Sequence, residues 1–165
     1  MNKQEIEKYL QMVGEELQKK GLTAEILLLG AAVMLLEVGN RNNTDDIDAL
    51  FSSTAIYEAA QIVAKREGLM PGWLNEGVAV YVHTQPPMQL WKVLGGLQVY
   101  LPPLDYLLAM KLLAHRSKDE PDIMALKNVL GVKKQEAALT LLEKYVPKRY
   151  ITPAVLNGIK RHFEP

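Results

Sequence analysis

Two aspartates separated by one apolar residue are the feature of this chain with the clearest chemical potential. Asp46 and Asp48 flank Ile47 in a polar segment over residues 41–48. If the segment is a strand, both carboxylates lie on one face, about 6.6 Å apart along it, and Ile47 points to the other face. Two such carboxylates suit Mg²⁺ (or Mn²⁺), which binds through one or two carboxylates and a substrate's phosphates. We therefore predict that Asp46 and Asp48 are metal ligands.

A glycine precedes this pair at the end of an apolar run over residues 26–29. Gly30 comes just before a small apolar segment, over residues 31–38, that is typical of a short buried helix. A glycine at this point lets a phosphate approach the backbone and meet the free N–H groups of the helix start. The alternative is that Asp46 and Asp48 lie in a solvated turn and that Gly30 simply ends a strand.

The hydrophobic pattern predicts the elements that position these residues. Strands are predicted over about 26–29, 46–51, 78–82, 90–94 and 97–101, and helices over about 3–20, 31–38, 55–66, 103–115, 121–131, 134–145 and 153–163. We predict an α/β (α+β) fold with a mixed sheet flanked by helices. The whole chain is expected to be one domain, with a sheet-bearing core over residues 1–102 and a helical segment over residues 103–165.

The composition of the 165 residues narrows the function classes. The 19 Lys and Arg balance the 19 Asp and Glu, which argues against a nucleic-acid coating protein and against a polybasic membrane anchor. There is no cysteine, and the three histidines are scattered, so we expect any metal to be held by oxygen. The amino terminus lacks a signal pattern, and the longest apolar stretch is about half of the roughly 20 residues of a membrane span. We expect a cytoplasmic protein with no membrane partner.

Four blocks of residues appear in order between about residues 24 and 130. They are Gly30 with Arg41-x-x-Thr44-x-Asp46-Ile47-Asp48, residues 73–76 (Trp-Leu-Asn-Glu), residues 106–111 (Tyr-Leu-Leu-Ala-Met-Lys), and Arg116-x-Lys118-Asp119-x-x-Asp122. In these blocks the chain resembles the polymerase-beta-type nucleotidyltransferase superfamily. Within it, the blocks are similar to the AbiEii-like toxin enzymes and to an uncharacterised nucleotidyltransferase-like bacterial family.

The resemblance implies an enzyme that binds a nucleoside triphosphate (NTP) with Mg²⁺ and transfers a nucleotidyl group to a hydroxyl of a tRNA end or of a protein. It implies catalytic roles for Asp46, Asp48, Lys111, Asp119 and Asp122. It implies nucleotide contacts from Gly30, Ala31, Arg41, Thr44, Trp73 and Asn75. A cognate antitoxin or toxin is the implied protein partner. We further expect Lys111 to face the strand of the two aspartates, and Lys111→Met to fold nearly normally.

Alternatives remain open for several of these residues. Asp119 and Asp122 flank a helix that Pro121 would start, where carboxylates also serve as caps, and Trp73 could anchor a loop in the core. Ala31 stands where the family has a second Gly or Ser, and the predicted strands 78–82 and 97–101 contain no third carboxylate. Two rival functions follow: a catalytically silent binding or antitoxin-like module, and a nucleotide-binding sensor.

Overall fold

The computed structural model describes residues 1–165, which form two compact units. The first, called here the sheet unit, comprises Met1–Ala79 and Met88–Pro102. The second, called the helical unit, comprises Val80–Pro87 and Pro103–Pro165. The second part of the helical unit begins at Pro103, where the helical segment is predicted to begin. The unit also contains Val80–Pro87, which the prediction assigned to the sheet-bearing core.

The sheet unit contains every strand of the chain, together with three α-helices. Its elements are α1 (Lys3–Lys19), β1 (Ala24–Leu28), α2 (Gly30–Val33) continued by a π-helical turn (Met34–Val38), β2 (Ile47–Phe51), α3 (Thr54–Glu67), β3 (Leu74–Asn75), a 3₁₀ turn (Gly77–Tyr81, which crosses into the helical unit), β4 (Gln89–Leu94) and β5 (Leu97–Leu101). The strands form one sheet in the order β3-β2-β1-β5-β4. The predicted mixed α/β fold is therefore confirmed.

Strand β1 lies at the centre of the sheet. It is antiparallel to β2, with Leu27 opposite Leu50, and parallel to β5, with Leu27 beside Tyr100. Strand β2 is in turn parallel to β3. Because paired residues share a face, the alternate residues Asp48 and Leu50 lie on the same face as Leu27.

The opposite face of the sheet forms the core of this unit. Its side chains are fully or almost fully buried: Ile26, Leu28, Ile47, Ala49, Leu97 and Val99. Helix α1 packs against β4, β5 and α3, and Ile6, Leu10, Val13 and Leu17 supply its buried stripe. Gly14 permits a close approach, because a Cβ atom there would lie 1.6 Å from the carbonyl oxygen of Leu94.

Two predicted details of this unit differ from the structure. Residues 78–82, predicted as a strand, fall largely in the 3₁₀ turn Gly77–Tyr81, none of whose residues is buried. The two-residue strand β3 is absent from the prediction and pairs instead with β2, placing Leu74 beside Ile47 and Asn75 beside Asp48. The apolar run of residues 78–82 has no neighbouring strand to pair with, so it does not become part of the sheet.

The helical unit is built around α4 (Leu104–Ala114), which is buried along almost its whole length. The other helices are a 3₁₀ turn (Ser117–Asp119), α5 (Glu120–Leu130), α6 (Gln135–Tyr145), a 3₁₀ turn (Lys148–Tyr150) and α7 (Pro153–His162). Helix α4 packs against α5, α6 and α7. No helix in the chain combines the length and apolar character that crossing a membrane requires.

Candidate metal and nucleotide site

The two aspartates of the predicted metal site lie at the start of β2. Asp48 is the second residue of the strand and is half-buried, whereas Asp46 immediately precedes the strand and is exposed. Ile47, between them, has no exposed surface and packs in the core of the sheet unit. The neighbouring Asp45 is exposed and outside the strand. Spacing along the strand therefore places both carboxylates on the face opposite the core.

Gly30 lies against Asp48. The amide of Leu29 donates to the carbonyl of Asp48 at 2.8 Å, which fixes the end of β1 beside the start of β2. A Cβ atom added to Gly30 would stand 2.8 Å from Oδ2 of Asp48, and the φ of Gly30 is +60°, a conformation that L side chains rarely adopt. Glycine is therefore required at this position both by its backbone conformation and by the nearby carboxylate.

Asp46 is held in place by two neighbours. Nδ2 of Asn75 donates to Oδ2 of Asp46 at 3.3 Å, and the hydroxyl of Thr44 donates to the carbonyl of Asp46 at 2.9 Å. Oδ1 of Asn75 accepts from the amide of Gly77 at 2.8 Å, so the amide group is oriented with its donor end towards Asp46. Thr44 is buried, and its hydroxyl serves the backbone rather than an open cleft.

Strand β3, which lies beside β2 at the edge of the sheet, carries the side-chain amide of Asn75 and no third carboxylate. Asn75 of β3 is in register with Asp48 and contacts Asp46. The pairing of β3 with β2 was not predicted, so Asn75 lies outside the predicted strands 78–82 and 97–101, where a third carboxylate is absent. A side-chain amide is neutral, so the face carries two negative charges at this point and no third.

The remaining predicted nucleotide contacts occupy different surroundings. Trp73 is 2% exposed, and its Nε1 donates to the carbonyl of Ala60 at 3.0 Å, which fits the alternative of a core anchor and leaves no open ring face for a base. Ala31 is half-buried in the first turn of α2, where the capping residue Leu29 has no side chain that could accept from the free N–H groups. Arg41 is half-buried in the loop before β2.

Lys111, Asp119 and Asp122 form a separate ion cluster inside the helical unit. Nζ of Lys111 lies 2.8 Å from Oδ1 of Asp119 and 2.7 Å from Oδ2 of Asp122, and all three residues are buried. Nε of Arg116 adds a 2.7 Å contact to the other oxygen of Asp119. The ammonium thus faces two carboxylates of its own unit.

The cations of this cluster favour the charged form of Asp119. Burial alone would raise the pKa of Asp119, but the hydrogen bonds from Arg116 and Lys111 outweigh it and bring the pKa below its ordinary value. Asp119 occupies the N-cap position of α5 without a capping hydrogen bond from its side chain. The helix-cap alternative therefore does not describe Asp119, whose carboxylate serves the two cations instead.

The protein offers few metal ligands at the start of β2, namely the carboxylates of Asp46 and Asp48. No group of three or more His, Asp and Glu side chains is arranged to hold a metal. A divalent cation at Asp46 and Asp48 would therefore complete its coordination with water and with phosphate oxygens of a substrate, as Mg²⁺ commonly does.

The chain was also compared with known proteins by sequence and by structure. No protein-family model, curated protein or solved structure matches it. A functional assignment therefore depends on the geometry of the residues described above.

Proposed function

We propose that this protein is a metal-dependent nucleotidyltransferase that binds an NTP at the start of β2 and transfers a nucleotidyl group to an acceptor hydroxyl. The observation that carries the proposal is the placement of Gly30 directly against the carboxylate of Asp48, with Asp46 on the same face of β2. This arrangement joins a place for phosphate approach to a place for a divalent cation.

Each residue of the site has a distinct role in this proposal. Asp46 and Asp48 hold the cation, and Asn75 and Thr44 orient Asp46 by the hydrogen bonds described above. The N–H groups of Gly30 and Ala31, at the start of α2, donate hydrogen bonds to phosphate oxygens. Asp46 and Asp48 would hold Mg²⁺, which would supply positive charge to offset that of the phosphates during attack on the α-phosphorus. The chain's own contribution is positioning, which lowers the entropic part of the barrier.

The partners in this proposal are an NTP and an acceptor hydroxyl on a tRNA end or on a protein side chain. A cognate antitoxin or toxin is the proposed protein partner, and the cytoplasm is the proposed location. The buried ion cluster of Lys111 is given no catalytic step, because its ammonium is already engaged by Asp119 and Asp122. Its role in this proposal is to hold α4 and α5 together.

The experiment that tests the proposal combines nucleotide binding with nucleotidyl transfer. Binding of each of the four NTPs is measured by calorimetry with and without Mg²⁺, and transfer is measured with α-³²P-labelled NTPs and total RNA or protein as acceptor. Asp46→Asn and Asp48→Asn should abolish Mg²⁺-dependent binding and labelling. Asp45→Asn is the matched control, because Asp45 is exposed and lies outside β2. Equal activity of all three variants would overturn the proposal.

A second function is favoured by a different observation, the amide of Asn75 at the position in register with Asp48. With Ala31 and without a third carboxylate, the same fold would serve as a catalytically silent binding or antitoxin-like partner module. This proposal predicts Mg²⁺-NTP binding that is weak or absent and no label transfer to any acceptor. Stable co-purification with one protein from the native host, together with those two negative results, would favour it over the enzyme.

A further inference from the structure

The sheet unit contains a cleft of about 490 Å³ at the β3 edge of the sheet. We call it the edge cleft. Its walls are the end of β2 and the start of α3, residues 51–54 with Tyr57, and the segment that carries β3, Gly72 with residues 74–76. The volume is within the roughly 300–1,000 Å³ range of small-molecule sites. The edge cleft is thus large enough for a nucleoside-sized ligand.

The chemistry of the walls combines aromatic surface with a few polar groups. Phe51 and Tyr57 supply rings, and Tyr57 is 53% exposed, so its ring is open to a ligand. Oε1 of Glu76 accepts from the amide of Phe51 at 2.8 Å, and its second oxygen has no hydrogen bond within the protein. The hydroxyl of Thr54 likewise has no partner. The cleft therefore offers a stacking surface, one carboxylate acceptor and one hydroxyl.

We infer that the edge cleft binds a nucleobase, stacked on Tyr57 and hydrogen-bonded through its N–H donors to Glu76. Any nucleobase can stack on an aromatic side chain, because every base has a flat ring face. A carboxylate acceptor selects bases that present an amino group, such as adenine, cytosine and guanine. Uracil is disfavoured, because its ring N–H is flanked by two carbonyl oxygens that the carboxylate repels.

The edge cleft is connected to the carboxylate pair by Asn75. This residue lines the cleft and donates to Oδ2 of Asp46 at 3.3 Å. A base in the cleft thus belongs either to the NTP or to the RNA end that receives the nucleotidyl group. The connection with transfer rests on the proposed function, whereas binding of a free base by the cleft does not.

The binding test uses nucleosides, which carry no phosphate and need no metal. Adenosine, cytidine, guanosine and uridine are titrated into ¹⁵N-labelled protein without Mg²⁺, and the amide shifts of residues 72–76 are followed. The amino-bearing nucleosides should shift these amides at lower concentration than uridine. Tyr57→Ala should weaken their binding about tenfold or more, whereas Tyr57→Phe, which keeps the ring, should bind as the wild type does.

Two further variants separate the cleft from the general surface. Glu76→Gln keeps the oxygen that accepts from Phe51 but loses the charge, and it should remove the preference over uridine. Ile62→Ala, at an exposed position of α3 outside the cleft lining, should change nothing. Absence of nucleoside shifts at residues 72–76, or shifts produced equally well by the guanidinium compound N-acetylarginine amide, would overturn the inference in favour of no site or of a peptide site.

The last arm distinguishes the source of the base and keeps the two proposals apart. Mg²⁺-NTP and a short RNA with a free 3′ hydroxyl and no triphosphate are each titrated into wild type, Tyr57→Ala and Asp48→Asn. If Tyr57→Ala loses RNA binding and Asp48→Asn keeps it, the cleft binds a base of the acceptor RNA. If both variants lose NTP binding, the cleft binds the base of the NTP. Nucleoside binding that persists in Asp48→Asn while wild type fails to transfer would support the cleft and reject the enzyme.

Discussion

Replacing Lys111 by methionine should destabilise the protein by about 3–5 kcal/mol, the usual cost of removing one partner from a buried ion pair. The side chain is 4% exposed, and its ammonium lies 2.8 Å from Asp119 and 2.7 Å from Asp122, which are themselves buried. Each contact corresponds to about 6 kcal/mol of Coulomb energy at an effective dielectric constant of about 20, much of which offsets desolvation. Methionine keeps the apolar stem but removes the ammonium from both buried aspartates, of which Asp119 keeps its contact with Arg116.

The assay for this change is urea unfolding at pH 7 followed by circular dichroism, with hydrogen exchange of the α4 and α5 amides to locate the loss. Lys118→Met is the matched control, because Lys118 is exposed and has no ion pair, and it should change the free energy of unfolding by less than about 0.5 kcal/mol. Adding Asp119→Asn and Asp122→Asn to Lys111→Met should recover much of the loss. A cost below about 1 kcal/mol would refute the reasoning and restore the expectation of near-normal folding. A large cost without recovery would show that the loss does not come from the two buried carboxylates.

Three other changes test further features of the structure. Gly30→Ala should lower the melting temperature by the equivalent of about 1–2 kcal/mol, because the left-handed backbone and Oδ2 of Asp48 both oppose a Cβ atom; unchanged melting would contradict this. Tyr106→Phe should stabilise by about 1 kcal/mol in urea unfolding, because the buried hydroxyl has no partner and burial raises the pKa of Tyr106 to about 12; destabilisation would reveal a missing partner. The pKa of Asp119 is lowered in the fold, because its two cations outweigh burial, so its stabilising effect is present above the unfolded value of about 3.9 and is lost as the pH falls through the folded value. Acid titration of Asp119→Asn should therefore show a shallower loss of stability below about pH 4 than that of the wild type.

Local patterns predicted most of the elements, and they failed where an element depends on a distant partner. The Gly95-Gly96 hairpin and the helices starting near Pro103, Pro121 and Pro153 are predictable, because turn residues and helix periodicity act within a few positions. The residues 78–82 have strand propensity but no strand beside them, and Val80 is 72% exposed. β3 is only two residues long, too short for any periodicity to reveal.

The candidate site shows the same limit. The shared face of Asp46 and Asp48 follows from strand geometry, which the sequence contains. The hydrogen bond from Asn75 depends on the pairing of β3 with β2, and no local pattern in the sequence reveals that pairing. Lys111 stands out in an apolar helix as a cation that needs a partner, but which carboxylates it meets depends on the reversal after α4, where His115 adopts a φ of +40°.

The position of β1 in the sheet has a consequence for synthesis on the ribosome. Its two neighbours emerge at very different times, because β2 follows within the next segment whereas β5 is made only after α3, β3 and β4. Until then the central strand has an apolar edge with open hydrogen-bonding groups, which is a template for aggregation. A nascent chain arrested after residue 79 should therefore be held by chaperones, and one extended beyond residue 102 should be released from them as the last two strands close the sheet.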